Sequence, residues 1–344
     1  MNMNDNDLFN RLLILRSPNI GPVRYNALVA QFGGIDMAAR AINADDGVRD
    51  CVAREMEMAR KLNITYICDD MDVYPKNLKM IKNHPPVLSV RGNVATLTRR
   101  AVGIVGTRHA TVAGMNIVAD IAEKFASHGV AVVSGMAMGT DAAAHRGALR
   151  ARGAENTVAV VAGGVDYIWP VENESLYWDI VERGAVVSEM PVGFVPQGQN
   201  FVMRNRWIAG IGDFLILGEA DLKSGSMKTA QFAHESNRKI FAIPSHPSDS
   251  RAMGPNSLIK SGVAELCNGA SDFFDDEKNE KKLKKNEQKN ASENSLLDAI
   301  GTIPVSESVL SEIVKKTVSE IKSDLVILEL QGLVRKVDGG YVRA

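Results

Sequence analysis

Residues 101–147 read AVGIVGTRHATVAGMNIVADIAEKFASHGVAVVSGMAMGTDAAAHRG, and the fold depends on the pattern in this stretch. The apolar run 101–105 ends at a glycine turn, and a helical pattern follows it. The run 130–133 leads in the same way into a small-residue loop and a second helical pattern. Two consecutive units of strand, glycine turn and helix are typical of a parallel α/β sheet. We therefore predict that the two turns lie side by side.

Further apolar runs continue this pattern toward the C-terminus, at 158–161, 185–187, 214–217 and 240–243. Segments with helical spacing separate them, which favours a doubly wound sheet. The run 87–90 is expected to join the edge of this sheet as a lead-in strand. The predicted fold class is α/β: an extended Rossmann-like parallel sheet core with a small helical N-terminal module and a C-terminal winged helix.

The glycine turns predict a phosphate ligand. Open parallel sheets bind ligands outside the carboxyl ends of their strands, where the first amides of a helix have no intrahelical partner. Arg108 follows the first turn, and its planar guanidinium suits phosphate oxygens. The spacing Gly103-x-x-Gly106-x-Arg108 is not the dinucleotide fingerprint, and no acidic residue ends the 130–133 strand. A nicotinamide-dependent oxidoreductase is therefore disfavoured.

The residues predicted to bind DNA or phosphate are polar, basic, aromatic or glycine residues at these turns and helix starts. They are Gly106, Thr107, Arg108, Ser134, Gly135, Gly139, Asn200, Phe201, Arg204, Asn205, Arg206, Ser224, Gly225, Ser226, Lys228, Asn256 and Lys260. Phe201 could stack on a base, as aromatic residues do in single-strand sites. Asp141 and His145 are expected to support the site, Asp141 as a helix cap and His145 through a hydrogen bond beneath the loop.

Other roles for some of these residues stay open. Asp141 and His145 are four residues apart and could form an acid–base pair, although no Ser or Cys nucleophile with an orienting partner accompanies them. Arg204 and Arg206 could instead form structural ion pairs with Glu189 or Glu219. The 224–230 segment lacks the order and spacing of a Walker A loop, so ATP hydrolysis is not supported.

Five sequence blocks carry a family resemblance. They are GTR at 106–108, SGMAMGTDAAAHRGAL at 134–149, NFVMRNRWIAG at 200–210, SGSMKTA at 224–230 and GPNSLIKSG at 254–262. In this order they resemble the DprA/Smf family of DNA-processing proteins. Gly163, Trp169 and Ser245 depart from the residues more usual in that family. The resemblance implies a non-catalytic, homodimeric single-stranded-DNA binder that protects incoming DNA during natural transformation and loads the recombinase RecA.

The composition restricts how such binding could work. The chain has 344 residues and a formal net charge of −1, so any affinity for DNA must come from a local basic patch. Its three cysteines are far apart, which argues against a zinc site and a disulfide framework and fits a reducing cytoplasm. The first ten residues have no signal-peptide pattern. We expect a cytoplasmic protein without a metal or a cofactor.

The predicted domain organisation has four parts. Residues 1–64 form a helical module with a turn similar to a helix-hairpin-helix, and 65–274 form the DNA-binding core. Residues 275–294 are rich in charges of both signs and are expected to be a flexible linker. Residues 295–344 form the winged helix, which contains seven acidic and six basic residues. This balance is unfavourable for DNA and favours a protein-interaction or accessory role.

Two alternative functions remain open from the sequence. Nucleoside-monophosphate phosphoribohydrolases have similar glycine turns on a Rossmann-like fold, and Asp141 could assist glycosidic cleavage in such an enzyme. Their PGGxGTxxE motif is only partly matched by AGGVD at 162–166. Release of free base from nucleoside monophosphates would identify the enzyme. A regulatory nucleotide sensor would instead bind a mononucleotide more tightly per phosphate than an oligomer.

Overall fold

The computed structural model describes residues 4–153, 155–274 and 296–344. They fall into two compact units, Met1–Asp272 and Phe273–Ala344. The helices of the first unit are α1 Asp5–Arg16, α2 Pro22–Phe32, α3 Ile35–Ala41, α4 Asp46–Lys61, α5 Lys76–Lys79, α6 Val112–Ser127, α7 Thr140–Arg150, α8 Glu174–Arg183, α9 Gly198–Ile211, α10 Gly225–Glu235 and α11 Met253–Lys260, and α12 Ser271–Phe274 includes the boundary between the units. Its strands are β1 Ile64–Cys68, β2 Val87–Gly92, β3 Ala101–Val105, β4 Ala131–Ser134, β5 Thr157–Val160, β6 Ala185–Ser188, β7 Phe214–Leu217, β8 Lys239–Ala242 and β9 Glu265–Leu266. The residues expected to form the linker, 275–294, lie outside the described ranges.

The strands of the first unit form a single sheet in the order β1-β2-β6-β5-β4-β3-β7-β8-β9. The pairs from β6 through to β9 are parallel, which confirms the predicted Rossmann-like core. The outer part of the sheet differs from the prediction, because β2 pairs antiparallel with both β6 and β1. The lead-in strand therefore joins the sheet as expected, but β1 covers it and forms the edge.

Helices cover both faces of the sheet. Apolar side chains of α9 and α10, such as Trp207, Ile208 and Ala230, pack against Val133 and Leu215 on one face. Helices α6, α7 and α8 pack on strands of the opposite face. The central strands are buried along their whole length, which explains why each of them is a continuous apolar run in the sequence.

The N-terminal helices pack directly on the β1 end of the sheet. Arg11 of α1 is 5% exposed and donates a hydrogen bond of 2.5 Å from Nη2 to Asp70 Oδ2, and its Nη1 lies 3.8 Å from Asp69 Oδ1. Glu55 of α4 accepts hydrogen bonds from Arg16 and from the hydroxyl of Tyr66 on β1. These buried polar contacts and a shared apolar core join the helices to the sheet.

The turns that follow β3 and β4 lie side by side, as the sequence predicts. The amide and the hydroxyl of Thr140 both donate to the Thr107 carbonyl, each over 3.1 Å. Gly139 has a φ of +71°, and a Cβ at this position would lie 2.5 Å from the carbonyl oxygens of Thr107 and Arg108. Glycine is therefore required here both by the left-handed backbone and by the close approach of the two turns.

Helices α6 and α7 approach each other closely behind these turns. A Cβ added to Gly147 of α7 would lie 2.2 Å from the carbonyl oxygen of Ala119 in α6. The small residues Ala143, Ala144 and Ala148 of α7 are buried beside it. The short interhelical distance holds α7, and with it the loop that precedes α7, against the sheet.

The second unit has the architecture of a winged helix, as predicted. A helical turn at 296–299 precedes α13 Glu307–Val314 and α14 Val318–Leu330, and β10 Val334–Val337 pairs antiparallel with β11 Gly340–Arg343. Leu310, Ile321, Leu325 and Tyr341 form its core. Within the described residues of both units, no helix is long and apolar enough to span a membrane.

Candidate nucleic-acid interface

A cleft of about 500 Å³ opens at the carboxyl ends of the central strands. It lies at β3, which has β4 on one side and β7 on the other. The strands after β3 extend the sheet in one direction from β4 to β6, and those from β7 to β9 extend it in the other. Such a switch point is where open α/β sheets bind their ligands. The cleft is lined by residues from the turn after β3, the loop after β4 with the start of α7, the loop after β5, and the starts of α9 and α10.

The cleft brings together more than half of the residues that are predicted from the sequence to bind DNA or phosphate. Its lining includes Gly106, Thr107, Arg108, Phe201, Arg204, Asn205, Ser224, Gly225 and Ser226, together with the expected support residue Asp141. These residues are up to 120 positions apart in the chain. The parallel sheet explains their convergence, because each of them follows a strand whose carboxyl end is at this edge.

Arg108 is exposed at the mouth of the cleft. Its guanidinium carbon lies 5.1 Å from the centroid of the Trp169 ring and 5.8 Å from that of Phe201. Within the described parts of the chain it makes no salt bridge, and its side chain has no hydrogen-bond partner. Its five N–H donors are therefore available to an anion that enters the cleft.

Arg204 is only 6% exposed and lies at the floor of the cleft. Its Nη1 donates to the carbonyl oxygens of Gly135 and Val160, and its Nε donates to Asn205 Oδ1 over 3.2 Å. Burial, together with a smaller effect of the nearby Arg108 charge, lowers the pKa of Arg204 to about 10, although the Asp141 carboxylate opposes the decrease. Arg204 therefore carries a positive charge at neutral pH.

The first turn of α10 adds neutral donors to the cleft. Gly225 and Ser226 are the first two residues of this helix, so their amides have no intrahelical acceptor. The hydroxyls of Ser224 and Ser226 lie 2.8 Å apart and share one hydrogen bond. The side-chain amide of Asn205 donates to the Gly225 carbonyl over 3.2 Å, which fixes the start of α10 beside α9. Amides and hydroxyls in this arrangement suit phosphate oxygens.

Asp141 supports the loop beneath the cleft, although it does not cap its helix. Gly139 is the N-cap of α7, and Asp141 lies in the first turn, where its carboxylate accepts a 3.4 Å hydrogen bond from the amide of Ala137. Burial raises the pKa of Asp141, and the positive charge of Arg204 opposes this rise. The expected cap is thus corrected to a contact within the loop.

Ser134 and Gly135, two of the predicted phosphate contacts, are not among the residues that line the cleft. Ser134 is completely buried, and its hydroxyl donates to the carbonyl of Ile104 over 2.7 Å. Gly135 is buried as well, its carbonyl accepts from Arg204, and an added Cβ would lie 2.7 Å from that guanidinium. The Gly135 carbonyl in the turn after β4 therefore helps to hold Arg204 in place.

Several other nominated residues lie away from the cleft. Gly139 packs on the backbone of the β3 turn, and Asn200 accepts a hydrogen bond from the Gln197 amide in a capping box of α9. Arg206 lies over the rings of Trp207 and Phe232. Asn256 exchanges two hydrogen bonds with the backbone of Ser245 and so holds that loop. Lys228 lines a neighbouring groove, and Lys260 lies in the last turn of α11, outside the cleft.

His145 is fully buried and does not reach the cleft. Its Nδ1 lies 2.7 Å from Thr157 Oγ1, whose own hydrogen is donated to the Val132 carbonyl. Nδ1 must therefore carry the proton, while Nε2 is buried and has no partner within the described residues. Asp141 and His145 share no hydrogen bond, so the acid–base pair that the sequence left open is not assembled.

We expect His145 to make stability depend on pH. Burial lowers its pKa from 6.5 to about 3, so the folded protein resists a proton that the unfolded chain accepts. The stabilisation is complete above pH 6.5 and is lost at about 1.4 kcal/mol per pH unit as the pH falls below that value. Between pH 7.5 and 5.0, the free energy of unfolding should fall by about 2 kcal/mol more in the wild type than in His145→Gln. Urea denaturation at the two pH values measures this difference. An equal decrease in the free energy of unfolding in both proteins would refute the lowered pKa of His145.

Sequence reasoning did not select Trp169 as a site residue. Its side chain lies in the loop after β5, lines the cleft and has its ring centroid 4.5 Å from that of Phe201. Two features of the sequence could have indicated Trp169: its place after a glycine turn at a strand end, and its departure from the residue more usual in the family.

The ion pairs suggested for Arg204 and Arg206 are absent from the described residues. Glu189 accepts a hydrogen bond from Trp207 Nε1, and Glu219 accepts hydrogen bonds from Thr111. Neither glutamate forms a salt bridge with Arg204 or Arg206.

Three family models match consecutive parts of the chain. The model described as DNA recombination-mediator protein A matches residues 65–278, which is more than half of the chain. The DprA-like N-terminal HHH domain matches residues 5–61, and the DprA winged helix domain matches residues 280–340. Among curated relatives, Protein Smf of Synechocystis is 34% identical over 254 residues, which cover 73% of this chain and 57% of the relative. The chain thus spans less than two thirds of that relative's length.

Two solved structures are similar to the chain at 28% sequence identity. DNA processing protein A (DprA) from Streptococcus pneumoniae gives a TM-score of 0.65 and covers 80% of this chain and 99% of its own. DNA processing protein A from Helicobacter pylori gives a TM-score of 0.57 over 62% of this chain and 95% of its own. The Helicobacter protein is described for its unique mode of binding single-stranded DNA.

Proposed function

The chain belongs to the DprA/Smf family of DNA recombination-mediator proteins, and from this premise we propose that it binds single-stranded DNA without sequence preference. The binding site is the cleft at the carboxyl edge of the sheet. Its contacts are Arg108 at the mouth, the amides and hydroxyls at the start of α10, and the Trp169–Phe201 ring pair.

The observation that carries this proposal is the pair of arginine charges across the cleft. Arg108 and Arg204 both line the cleft, and their like charges repel each other. Within the described part of the chain, Asp141 is the only acidic residue of the lining, and its side chain is buried. A phosphate between the two guanidinium groups would relieve their repulsion. Backbone phosphates are present in every nucleotide, so this attraction applies to any sequence.

We expect Arg108→Ala to weaken single-stranded DNA binding about tenfold at moderate salt, because one charge-assisted phosphate contact is lost. The slope of log affinity against log salt should decrease in magnitude by about 0.7. Fluorescence anisotropy over a salt series with single-stranded and duplex oligonucleotides of matched length measures both quantities.

Arg100→Ala is the matched control for this measurement. Arg100 precedes β3 at the opposite edge of the sheet, is also exposed, and pairs with Asp213 at 3.1 Å. The substitution changes the net charge equally but leaves the cleft intact, so we expect less than a twofold effect. Equal losses in both variants, or tighter binding of duplex than of single strands, would refute the proposed site.

We further propose that the bound strand is protected from nucleases and handed to RecA in the cytoplasm, with the protein acting as a homodimer during transformation and recombination. Family membership supports this part of the proposal. The winged helix would serve as an accessory, protein-binding module. Its helix α14 exposes two acidic and two apolar side chains and a single lysine, which are Glu320, Glu329, Val326, Leu330 and Lys322. RecA filament assembly on strands coated with single-strand-binding protein, with and without this protein, tests the handover.

A further inference from the structure

Helix α14 of the winged helix exposes two large apolar side chains that its own domain leaves uncovered. Leu330 is 83% exposed and Val326 is 51% exposed. They are four residues apart and therefore lie on the same face of the helix. The opposite face supplies Ile321, Leu325 and Leu328 to the core of the domain. The exposed face is thus apolar without contributing to the fold, which is typical of a contact surface.

The charges of α14 do not favour nucleic acid as the occupant of this face. Lys322 is the only lysine or arginine in the helix, and its Nζ lies 3.4 Å from Glu307 Oε2. Glu320 and Glu329 are exposed as well. Binding to phosphates requires several uncompensated cations. The face therefore fits a protein better than DNA.

The spacing of the exposed side chains predicts the shape of the partner. Four exposed residues have the spacing i, i+3, i+4 and i+7, and they are Ser319, Lys322, Ser323 and Val326. Residues at this spacing form the hole that receives a large side chain from a facing helix. Two of them are serines, so the hole is wide, and Leu330 at the other end of the face is large enough to fill it. A second α14 in antiparallel orientation would place each Leu330 in the hole of the other helix.

The two charges of the face are complementary in the same arrangement. Lys322 and Glu329 are seven residues apart, so they lie about 20° from each other around the helix axis and about 10 Å apart along it. A two-fold axis perpendicular to an antiparallel helix pair brings equal flanks of the two helices together. With the axis at Val326, each Lys322 comes within one residue of the level of the partner's Glu329. The pair therefore contains two attractive contacts, one on either side of the axis.

The contacts that these charges make within the chain are compatible with such a pair. Glu307 Oε1 lies 3.6 Å from Lys336 Nζ, so Glu307 keeps a cation when Lys322 turns to a partner. Exposed ion pairs contribute little to stability, so this exchange costs little. Glu329 Oε1 accepts from the Lys336 amide over 3.3 Å, which orients the carboxylate, and a carboxylate has further acceptor positions.

We propose that the winged helix binds the winged helix of a second copy of this chain, through antiparallel packing of the two α14 faces about a two-fold axis at Val326. The α14 face consists of Ser319, Lys322, Ser323, Val326, Glu329 and Leu330. One helix from each copy forms the contact, so it is small, and pairing is weak and reversible. It is separate from any contact between the cores. The inference rests on the protein-binding role proposed above for the winged helix and names its partner.

Disulfide cross-linking at the two-fold axis tests the proposal in the full chain. Helices packed about 8–10 Å apart bring the two Cα atoms nearest the axis to about 4–6 Å, which is within reach of a disulfide. In a Cys51→Ser background, which removes the exposed thiol, Val326→Cys should form a covalent dimer under mild oxidation about fivefold faster than Val309→Cys. Val309 on α13 is the matched control, because it is the same residue type in the same domain and is 46% exposed.

Charge reversal tests the pairing of Lys322 with Glu329. Added to Val326→Cys, Lys322→Glu or Glu329→Lys alone places like charges together on both sides of the axis and should slow cross-linking about fivefold. When the two variants are produced together, one of them with an affinity tag, each altered helix again meets opposite charges on the other. The mixed dimer should therefore form at close to the rate of the parent. Repair within one chain cannot explain this recovery, since neither variant regains its own lost contact in the mixture.

The outcomes separate this inference from the proposed function. Cross-linking of Val326→Cys no faster than that of Val309→Cys, or a mixed dimer that forms as slowly as the single variants, overturns the inference. Anisotropy on the same preparations measures single-stranded DNA binding. Normal DNA binding without cross-linking overturns this inference alone. Cross-linking without DNA binding supports the α14 contact and overturns the proposed function of the cleft.

Discussion

Replacing Arg204 by alanine is expected to lower the free energy of unfolding by about 3–5 kcal/mol and to weaken single-stranded DNA binding more than tenfold. Arg204 is buried, and its guanidinium serves the carbonyls of Gly135 and Val160 as well as the side chain of Asn205. Alanine leaves those carbonyls without this donor and leaves the buried Asp141 without the opposite charge that stabilises its carboxylate. Both the stability of the fold and DNA binding at the floor of the cleft should therefore decrease.

Arg206→Ala is the control, because this arginine lies two residues further along the same helix and packs on Trp207 and Phe232 outside the cleft. Its loss should cost about 1 kcal/mol or less and should leave DNA affinity within about twofold of the wild type. Urea denaturation and anisotropy measure the two quantities. Arg204→Lys adds a further test: it keeps the charge but cannot reach all three acceptors, so stability should be intermediate. Wild-type stability in Arg204→Ala would contradict the buried hydrogen-bond network.

Gly147→Val is expected to destabilise the first unit by about 3 kcal/mol or more, because no side chain fits between α6 and α7. Even a single Cβ would lie 2.2 Å from the Ala119 carbonyl oxygen and 2.6 Å from the Ala119 Cα, and both of these are backbone atoms that cannot move aside without shifting the helix. The substitution should therefore move α7 and the loop before it away from the sheet.

The control for Gly147→Val is Gly198→Ala at the first position of α9, where an added Cβ meets nothing within 4 Å. This change should alter the free energy of unfolding by about 1 kcal/mol at most. Urea denaturation followed by circular dichroism measures both variants. Similar stabilities of the two variants would show that the helices can separate at little cost, contrary to the packing described.

The central sheet could be predicted from the sequence because each of its strands is a short, continuous apolar run. The run 214–217, for example, coincides with β7, since a strand buried on both faces has no polar positions to obscure its limits. Strand β1 could not be predicted in this way. Its antiparallel pairing with β2 depends on residues 19 to 27 positions away, and its partly exposed pattern is not distinctive.

From the sequence, the site could be predicted only as a set of turns. Which of several neighbouring side chains points into the cleft depends on the orientation of the helix about its axis. Arg204 and Arg206 are two residues apart on α9, so their side chains point about 200° apart around the axis. Only Arg204 enters the cleft. Ser134 shows the same limit on a strand, because its hydroxyl is turned toward the backbone of β3. Trp169 reaches the cleft through an irregular loop, whose path no periodicity describes.

The contacts between the N-terminal helices and β1 determine how the protein can be divided for experiments. A fragment starting at residue 65 would lose Arg11 and Glu55, so that Asp70 and the hydroxyl of Tyr66 would lose their partners on a newly exposed apolar face. Poor solubility or weak DNA binding of such a fragment would therefore report a damaged sheet edge, not a DNA contact made by the missing helices. Cutting after residue 272 follows the boundary between the two compact units and avoids this ambiguity.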